Sequence, residues 1–167
     1  EMFLNGIGNE RLFPTINTVL LSGDWIPVNM PNAIKKVCEN ARVVSLGGAT
    51  EGSIWSIYYP VDYVDPEWKS IPYGKPLANQ TYYVLNYEGR ECPVGVSGEL
   101  YIGGKGVAQG YFKDQEKTNK AFIVHPKYGR IYRTGDYGVL LKSGIIIFQG
   151  RKAVSYTHLR AHETVLD

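Results

Sequence analysis

Three short stretches carry groups able to handle a phosphate or a sugar. The first is Gly47-Gly48-Ala49-Thr50-Glu51, placed two residues after the apolar run Ala41-Arg42-Val43-Val44. Gly47 and Gly48 lack a Cβ, so a ligand can approach the backbone closely. Exposed backbone N–H groups in such a turn form an anion-binding concavity. Thr50 adds a hydroxyl donor. Glu51 repels a phosphate unless a cation lies between them, and a hard Mg²⁺ is the natural bridge. The second stretch is Tyr132-Arg133-Thr134-Gly135-Asp136. Here a strand is expected to end and a turn to present Asp136, whose carboxylate accepts from vicinal hydroxyls such as a ribose diol. The third is Gly150-Arg151, where a guanidinium follows the strand Ile145–Phe148 and suits phosphate or ribose. Each stretch taken alone also reads plainly, as a glycine strand exit, an ordinary turn and a surface arginine. Ser97–Gly106 is glycine-rich and holds Lys105, but it lacks the phosphate-loop spacing and reads as a strand exit. His125 has no nucleophile at a recognisable spacing and reads as structural.

The surrounding pattern says what must position these groups. Asn17–Leu21 reads as a buried strand ended by Ser22-Gly23-Asp24. Pro31 opens a helix through Asn40, with Ala33, Ile34, Val37 and Cys38 at helical spacing. Arg42–Leu46 is the next strand. Strand, helix, strand is a βαβ unit and implies a parallel pair. Ligands in such sheets bind beyond the carboxyl ends of strands, where Ser22–Asp24 and Gly47–Glu51 lie. After Pro60 the text changes. Thr81–Asn86, Glu99–Ile102, Ile131–Arg133, Gly138–Leu141 and Ile145–Phe148 read as short strands separated by Gly, Asn, Asp and Pro. Asp114–Phe122 reads as a short helix capped by Asp114. The expected fold class is α/β plus β: the end of a parallel α/β subdomain over 1–60, then a small antiparallel barrel-like β subdomain over 61–152.

The bulk numbers agree. The chain has 167 residues, 44% apolar and 20% charged, ordinary for a globular protein. Its 13 Tyr, 19 Gly and 9 Pro favour strands and tight turns over a helical bundle. Net charge is +2 with no basic run, so nucleic acid is not implied. No stretch approaches the ~18–20 apolar residues of a membrane span, and the first residues do not resemble a signal peptide. Cys38 and Cys92 make no metal-ligand spacing and read as free thiols in a reducing, cytoplasmic setting.

The last stretch, Ala153–Asp167, breaks from this texture. Val154–Glu163 (VSYTHLRAHE) resembles the translation of a transposase-type sequencing adapter. It is therefore set aside as non-native, along with the metal-like His158, His162 and Glu163. On this reading the native text runs to Lys152 and is an internal fragment, expected to be inactive by itself.

The order and spacing of the motifs point further. GGATE (47–51), GELYIGGKGVAQGY (98–111), YRTGD (132–136) and FQGRK (148–152) together resemble the adenylate-forming superfamily, and within it the amino-acid adenylation domains of nonribosomal peptide synthetases. The resemblance spans about Thr18–Lys152. LLSGDWIP (20–27) and GGATEGSIWS (47–56) resemble the subgroup in modules that also build thiazoline or oxazoline rings. The resemblance implies ATP and Mg²⁺ as cofactors. It places Thr50 on the α-phosphate, Glu51 on the metal, Asp136 on the ribose hydroxyls, and Arg151 near ribose and phosphate. Phe148 would flank the nucleotide, with Gly47, Gly48 and Ala49 forming its loop. It implies formation of aminoacyl-AMP and pyrophosphate, then transfer to the phosphopantetheine thiol of a carrier domain. Carrier and condensation or cyclisation domains in one large chain are the implied partners. Most relatives carry Tyr-Gly-Pro before Thr-Glu, the Tyr stacking on adenine. Here Gly47-Gly48-Ala49 stand instead, leaving that stacking partner absent. The catalytic Lys of the C-terminal subdomain, the upstream phosphate loop and the Asp that anchors the substrate amine also have no counterpart in this sequence.

By the same resemblance Leu20, Ser22, Leu46, Ile54 and Trp55 fall on side-chain pocket positions. They make an apolar wall with one hydroxyl, which suits a small polarisable side chain and resembles cysteine-activating pockets. The same residues also read simply as core. Two other functions stay open: an acyl-CoA or aryl-acid ligase of the same superfamily, and a non-enzymatic β-rich binding module.

Overall fold

The computed structural model describes residues 13–23 and 25–151. Asp24, Lys152 and the tail 153–167, each part of an expectation above, lie outside the described residues.

The expected βαβ unit is present. Strand β1 (Thr18–Leu21) leads to helix α1 (Met30–Val37) and strand β2 (Arg42–Gly47). β1 and β2 are parallel, with Thr18 opposite Arg42 and Leu21 opposite Ser45. Pro31 sits in the first turn of α1, where its missing N–H costs nothing. Pro31, Ile34 and Val37 face the core, and Lys35 and Lys36 lie in the last turn, where cations complement the helix dipole. The helix stops at Val37, short of the expected Asn40. Cys38 leaves helical geometry (φ −129°, ψ 70°), and Ala41 N–H donates to Cys38 O at 3.0 Å to turn the chain into β2.

Past β2 the chain makes one 3₁₀ turn (Thr50–Gly52) and returns as β3 (Ile57–Pro60), antiparallel to β2. β4 (Lys75–Pro76) pairs with β3, so the first sheet has the order β1-β2-β3-β4 and runs on beyond residue 60. β3 and β4 carried no alternation that sequence reading had picked out. The core of this layer joins Ile26, Ile34, Val37, Val43, Val61 and Ile71.

The second sheet is antiparallel. It contains β5 (Gln80–Leu85), β6 (Ser97–Gly104), β7 (Phe122–His125), β8 (Gly129–Leu140) and β9 (Ile146–Arg151), in the order β5-β6-β8-β7, with β9 also on β8. β6 is an inner strand, between β5 and β8, and is buried from Gly98 to Gly103. Helix α2 (Gln115–Ala121) precedes β7, and the Asp114 side chain accepts from Lys117 N–H at 2.9 Å, as its cap role requires. Gly74 N–H donates to Ile146 O at 3.0 Å, and Ile146 N–H donates to Gly74 O at 2.8 Å. This reciprocal pair joins the first sheet's last loop to β9.

One expectation is corrected here. Ile131–Arg133 and Gly138–Leu141 are not two strands around a Thr-Gly-Asp turn; apart from Leu141, just past its end, they belong to the single strand β8. Its register with β6 shifts between Tyr101↔Arg133 and Glu99↔Tyr137. Leu100 therefore faces the three residues Thr134, Gly135 and Asp136, which form a bulge. Gly135 takes φ +76°, and a Cβ there would meet nothing within 4 Å, so glycine is needed for conformation and not for space. The Thr134 hydroxyl repairs the broken ladder: it donates to Leu100 O at 2.7 Å and accepts from Asp136 N–H at 3.0 Å. Beside it, Arg133 donates through Nε and Nη2 to both oxygens of the buried Glu99 at 2.8 and 2.9 Å. Thr134→Val keeps the shape but strands a carbonyl and an N–H in the interior. The expected cost is about 1–3 kcal/mol in urea unfolding, against no change for a Thr134→Ser control.

Candidate functional site

The bulge and the Gly47 loop face each other across a cleft with two connected hollows. One, of about 470 Å³, is lined by Ser22, Leu46, Gly47, Gly48, Tyr73, Asp136, Phe148 and Arg151 among others. The second, of about 690 Å³, is lined by Ala49, Thr50, Glu51, Ile54, Trp55, Tyr111 and Tyr132. Ser22, Gly48, Asp136 and Arg151 line both. All the residues expected to meet nucleotide or metal thus converge. Of the five expected pocket residues, Ser22, Leu46, Ile54 and Trp55 reach the cleft. Leu20 does not line either hollow; it lies half-exposed on β1 opposite Val44.

The Gly47 loop is held by its own backbone. Gly48 has φ +144°, and a Cβ there would lie 2.5 Å from Ile54 O and 2.7 Å from Ser56 Oγ. No other residue fits. Gly52 N–H and Ile54 N–H both donate to Ala49 O, at 2.8 and 3.0 Å, and this closes the 3₁₀ turn that presents Thr50 and Glu51. Ser53 and Ile54 both take positive φ, 68° and 65°, to bring the chain back to β3. Across the cleft, the Trp55 indole N–H donates to Ser22 Oγ at 3.1 Å and ties the loop to the end of β1.

Glu51 has an unexpected partner. The Tyr111 phenol donates to Glu51 Oε1 at 2.6 Å, and Ala108 N–H donates to Glu51 O at 2.8 Å. Lys117 Nζ lies 4.2 Å from the Tyr111 ring centroid. Burial pushes the Glu51 carboxyl up, but the Tyr111 phenol, its own backbone, Tyr132 and the Lys117 charge together hold it below the usual value. The anion is therefore kept in place without a counter-ion in direct contact. Burial and the same carboxylate push the Tyr111 phenol up, so it remains a donor. Neither Tyr111 nor Tyr132 was singled out from sequence, although both stand inside quoted motifs. Nothing in spacing links Glu51 to a tyrosine sixty residues later, in the loop after β6.

Asp136 and Arg151 pair with one another: Arg151 Nε donates to Asp136 Oδ1 at 3.0 Å, which raises the guanidinium's affinity for its proton. β8 and β9 set this contact, since the two residues are register partners. Phe148 stands two residues before Gly150 on β9 and contacts Tyr73 at a ring-centroid distance of 5.2 Å. Asp136 has one carboxylate oxygen in the ion pair, leaving the second for a diol.

These residues fit the implied metal. Among the described residues no group of three or more His, Cys, Asp or Glu converges. Mg²⁺ does not need one, because it commonly takes one or two carboxylates and completes its shell with phosphate oxygens and water. Glu51, anionic and beside Thr50 in the cleft, supplies such a carboxylate.

The chain is similar to several known proteins over most of its length. A sequence model of the AMP-binding enzyme family matches residues 1–112. Bacitracin synthase 1 of Bacillus licheniformis is 65% identical over 137 residues, covering 82% of this chain and 3% of that protein. Pyochelin synthetase PchF of Pseudomonas aeruginosa is 47% identical over 143 residues, 86% of this chain and 8% of that one. Among solved structures, the nonribosomal peptide synthetase FmoA3 in its alpha-methyl-L-serine-AMP bound form superposes with a TM-score of 0.81 at 42% identity, covering 84% of this chain and 16% of that chain. The chain spans only 3% to 13% of the length of the curated relatives it matches.

The Glu51–Tyr111 contact makes a pH prediction. A depressed folded value means that the contact stabilises the fold above the ordinary carboxylate range and that this is lost as pH falls through the folded value. In Tyr111→Phe the burial penalty remains and the main donor is gone. The Glu51 carboxyl carbon, followed by ¹³C NMR, should then titrate at higher pH than in the parent chain, with acid unfolding beginning earlier. An unmoved titration would show that the phenol does not govern this carboxylate.

Proposed function

Because the chain belongs to the AMP-binding enzyme family, we propose that it is a segment of an amino-acid adenylation domain of a nonribosomal peptide synthetase. The whole enzyme would join an amino acid to AMP. The observation that carries this reading is the convergence of Thr50, Glu51, Asp136 and Arg151, from three separate segments, on one cleft.

The roles follow from position. Asp136 accepts from the ribose hydroxyls and fixes the nucleotide's register. Arg151, already oriented by Asp136, faces the same place and favours negative charge there. Thr50 donates its hydroxyl to the α-phosphate. Glu51, held by Tyr111, offers a preset carboxylate to Mg²⁺, which would neutralise charge gathering on the phosphoryl oxygens. Because these groups are placed before the ligand arrives, little reorganisation is left for the transition state. The substrate carboxylate attacks the α-phosphorus and pyrophosphate leaves; the phosphopantetheine thiol of a carrier domain then takes the acyl group as a thioester, and AMP leaves. Carrier and condensation or cyclisation domains of a longer chain are the proposed partners. No helix among the described residues is long and apolar enough to cross a membrane.

Cysteine is the proposed amino acid. Ser22 already accepts from Trp55, so its own O–H is the group left to offer a side chain. Leu46 and Ile54 add apolar surface. A thiol needs little more, whereas a substrate hydroxyl would leave polar groups short of partners. The adenylate carried by FmoA3 has a small side chain of similar reach, which supports an aminoacyl-AMP in this fold.

The test is binding of non-hydrolysable aminoacyl-adenylate analogues to the 167-residue chain by calorimetry. Cysteinyl analogue should bind about tenfold tighter than seryl, and Asp136→Ala should weaken both about equally, by at least tenfold. Preference for a seryl analogue removes the cysteine assignment. Preference for an aryl or fatty-acyl adenylate replaces the amino-acid reading with the related acid ligase.

A further inference from the structure

Gly47 is a glycine for a reason different from that of Gly48. Its backbone lies outside the left-handed region, so any residue could adopt it. What excludes a side chain is space. A Cβ at position 47 would lie 1.8 Å from Tyr73 Cε2, 2.5 Å from Cζ and 2.6 Å from Cδ2. The Tyr73 ring thus occupies the volume into which a residue at the end of β2 would project.

Tyr73 is placed there firmly. The next residue, Gly74, has φ +109°, and a Cβ on it would lie 1.9 Å from Tyr58 O. Gly74 also makes the reciprocal backbone pair with Ile146. The Tyr73 backbone is therefore anchored at the join between the sheets. Its ring meets Tyr82 edge-on, at 6.0 Å and 89°, and Tyr82 is held in turn by Ser56 at 2.8 Å. Phe148 lies beside it at 5.2 Å and 34°, and Trp25 meets Phe148 edge-on at 6.1 Å. The result is an aromatic wall beside a glycine floor, opening on the hollow where Asp136 and Arg151 stand. A flat π-system tethered to a diol is the ligand with that combination of needs.

We propose that Tyr73 is the base-contacting aromatic residue of the nucleotide site, delivered from the 72–74 segment into the space that position 47 leaves open. This deepens the nucleotide reading above and rests on it. The stacking partner that the sequence lacks at position 47 is supplied from a segment twenty-six residues later. Positions 47 and 73 are then exclusive routes into one volume: a ring can enter from either, but not from both.

The test uses the 167-residue chain with AMP and with ribose 5-phosphate, which has no base, measured by calorimetry. Tyr73→Leu should weaken AMP about tenfold, equivalent to about 1.4 kcal/mol, and leave ribose 5-phosphate within about twofold. Tyr73→Phe should keep AMP within about twofold, because the ring and not the hydroxyl does the work. Gly47→Ala should weaken AMP alone by displacing the ring. Gly47→Tyr combined with Tyr73→Ala should restore AMP to within about threefold of the parent. If a leucine variant loses its fold, NMR on the parent chain decides instead: cross-peaks from the base H2 or H8 to the Tyr73 ring are expected, and their absence overturns the proposal. AMP binding that survives Tyr73→Leu but is lost in Asp136→Ala overturns the role of Tyr73 and leaves the nucleotide reading standing. Failure of both AMP and ribose 5-phosphate to bind the parent chain overturns the nucleotide reading and this proposal with it.

Discussion

The site depends first on one interruption in a β-ladder. Opposite Leu100, β8 carries three residues where a regular strand carries one. An interruption of that size in a buried sheet should leave a carbonyl and an amide without partners. The Thr134 side chain meets both needs with a single hydroxyl. Gly135 supplies the dihedral angle, and the bidentate Arg133–Glu99 pair holds the strand on the near side of the break. Asp136 is then displaced from the regular ladder to a position beside Arg151. The motif Tyr-Arg-Thr-Gly-Asp is therefore one working unit. Its last residue is the one set beside Arg151, and the three before it make that position stable.

The opposite wall is governed by crowding. Gly48 and Gly74 lie where a Cβ would strike backbone, and Gly47 where it would strike a ring. Such contacts allow the loop after β2 to lie close against both β3 and the 72–74 segment. Thr50 and Glu51 are consequently fixed by the shape of the backbone beneath them, with the Tyr111 phenol hydrogen-bonded to the Glu51 carboxylate at 2.6 Å.

Local pattern made part of this legible. The βαβ unit could be read because Pro31 opens a stretch in which Ala33, Ile34, Val37 and Cys38 fall at helical spacing between two strand-like runs. The Asp114 cap followed from its place before Gln115. What could not be read depends on pairs distant in sequence. β3 and β4 are short and flanked by tyrosines and prolines, so they show no clean alternation. Arg133 to Val139 looked like a strand, a turn and a strand because Thr-Gly-Asp has turn chemistry. In the fold, the neighbouring β6 keeps the segment extended. Of the residues that line the cleft, Thr50, Glu51, Asp136, Phe148 and Arg151 were singled out through ordered motifs. Tyr73 and Tyr111 were not, because the importance of each comes from the atom it faces, Gly47 in one case and the Glu51 carboxylate in the other. Leu20 was assigned by order along the chain, and its half-exposed place on β1 lies outside the cleft.

The reciprocal Gly74–Ile146 pair has a mechanical consequence. One wall of the cleft carries Gly47, Gly48 and Tyr73; the other carries Asp136, Phe148 and Arg151. Two backbone hydrogen bonds join the supports of these walls at their base. Sliding one wall past the other would break both bonds. Ala108 N–H on Glu51 O and the Tyr111 phenol on Glu51 Oε1 clamp the loop after β2 a second time. The spacing across the cleft is therefore held at two points rather than one, and a change in its width needs one of these clamps to open.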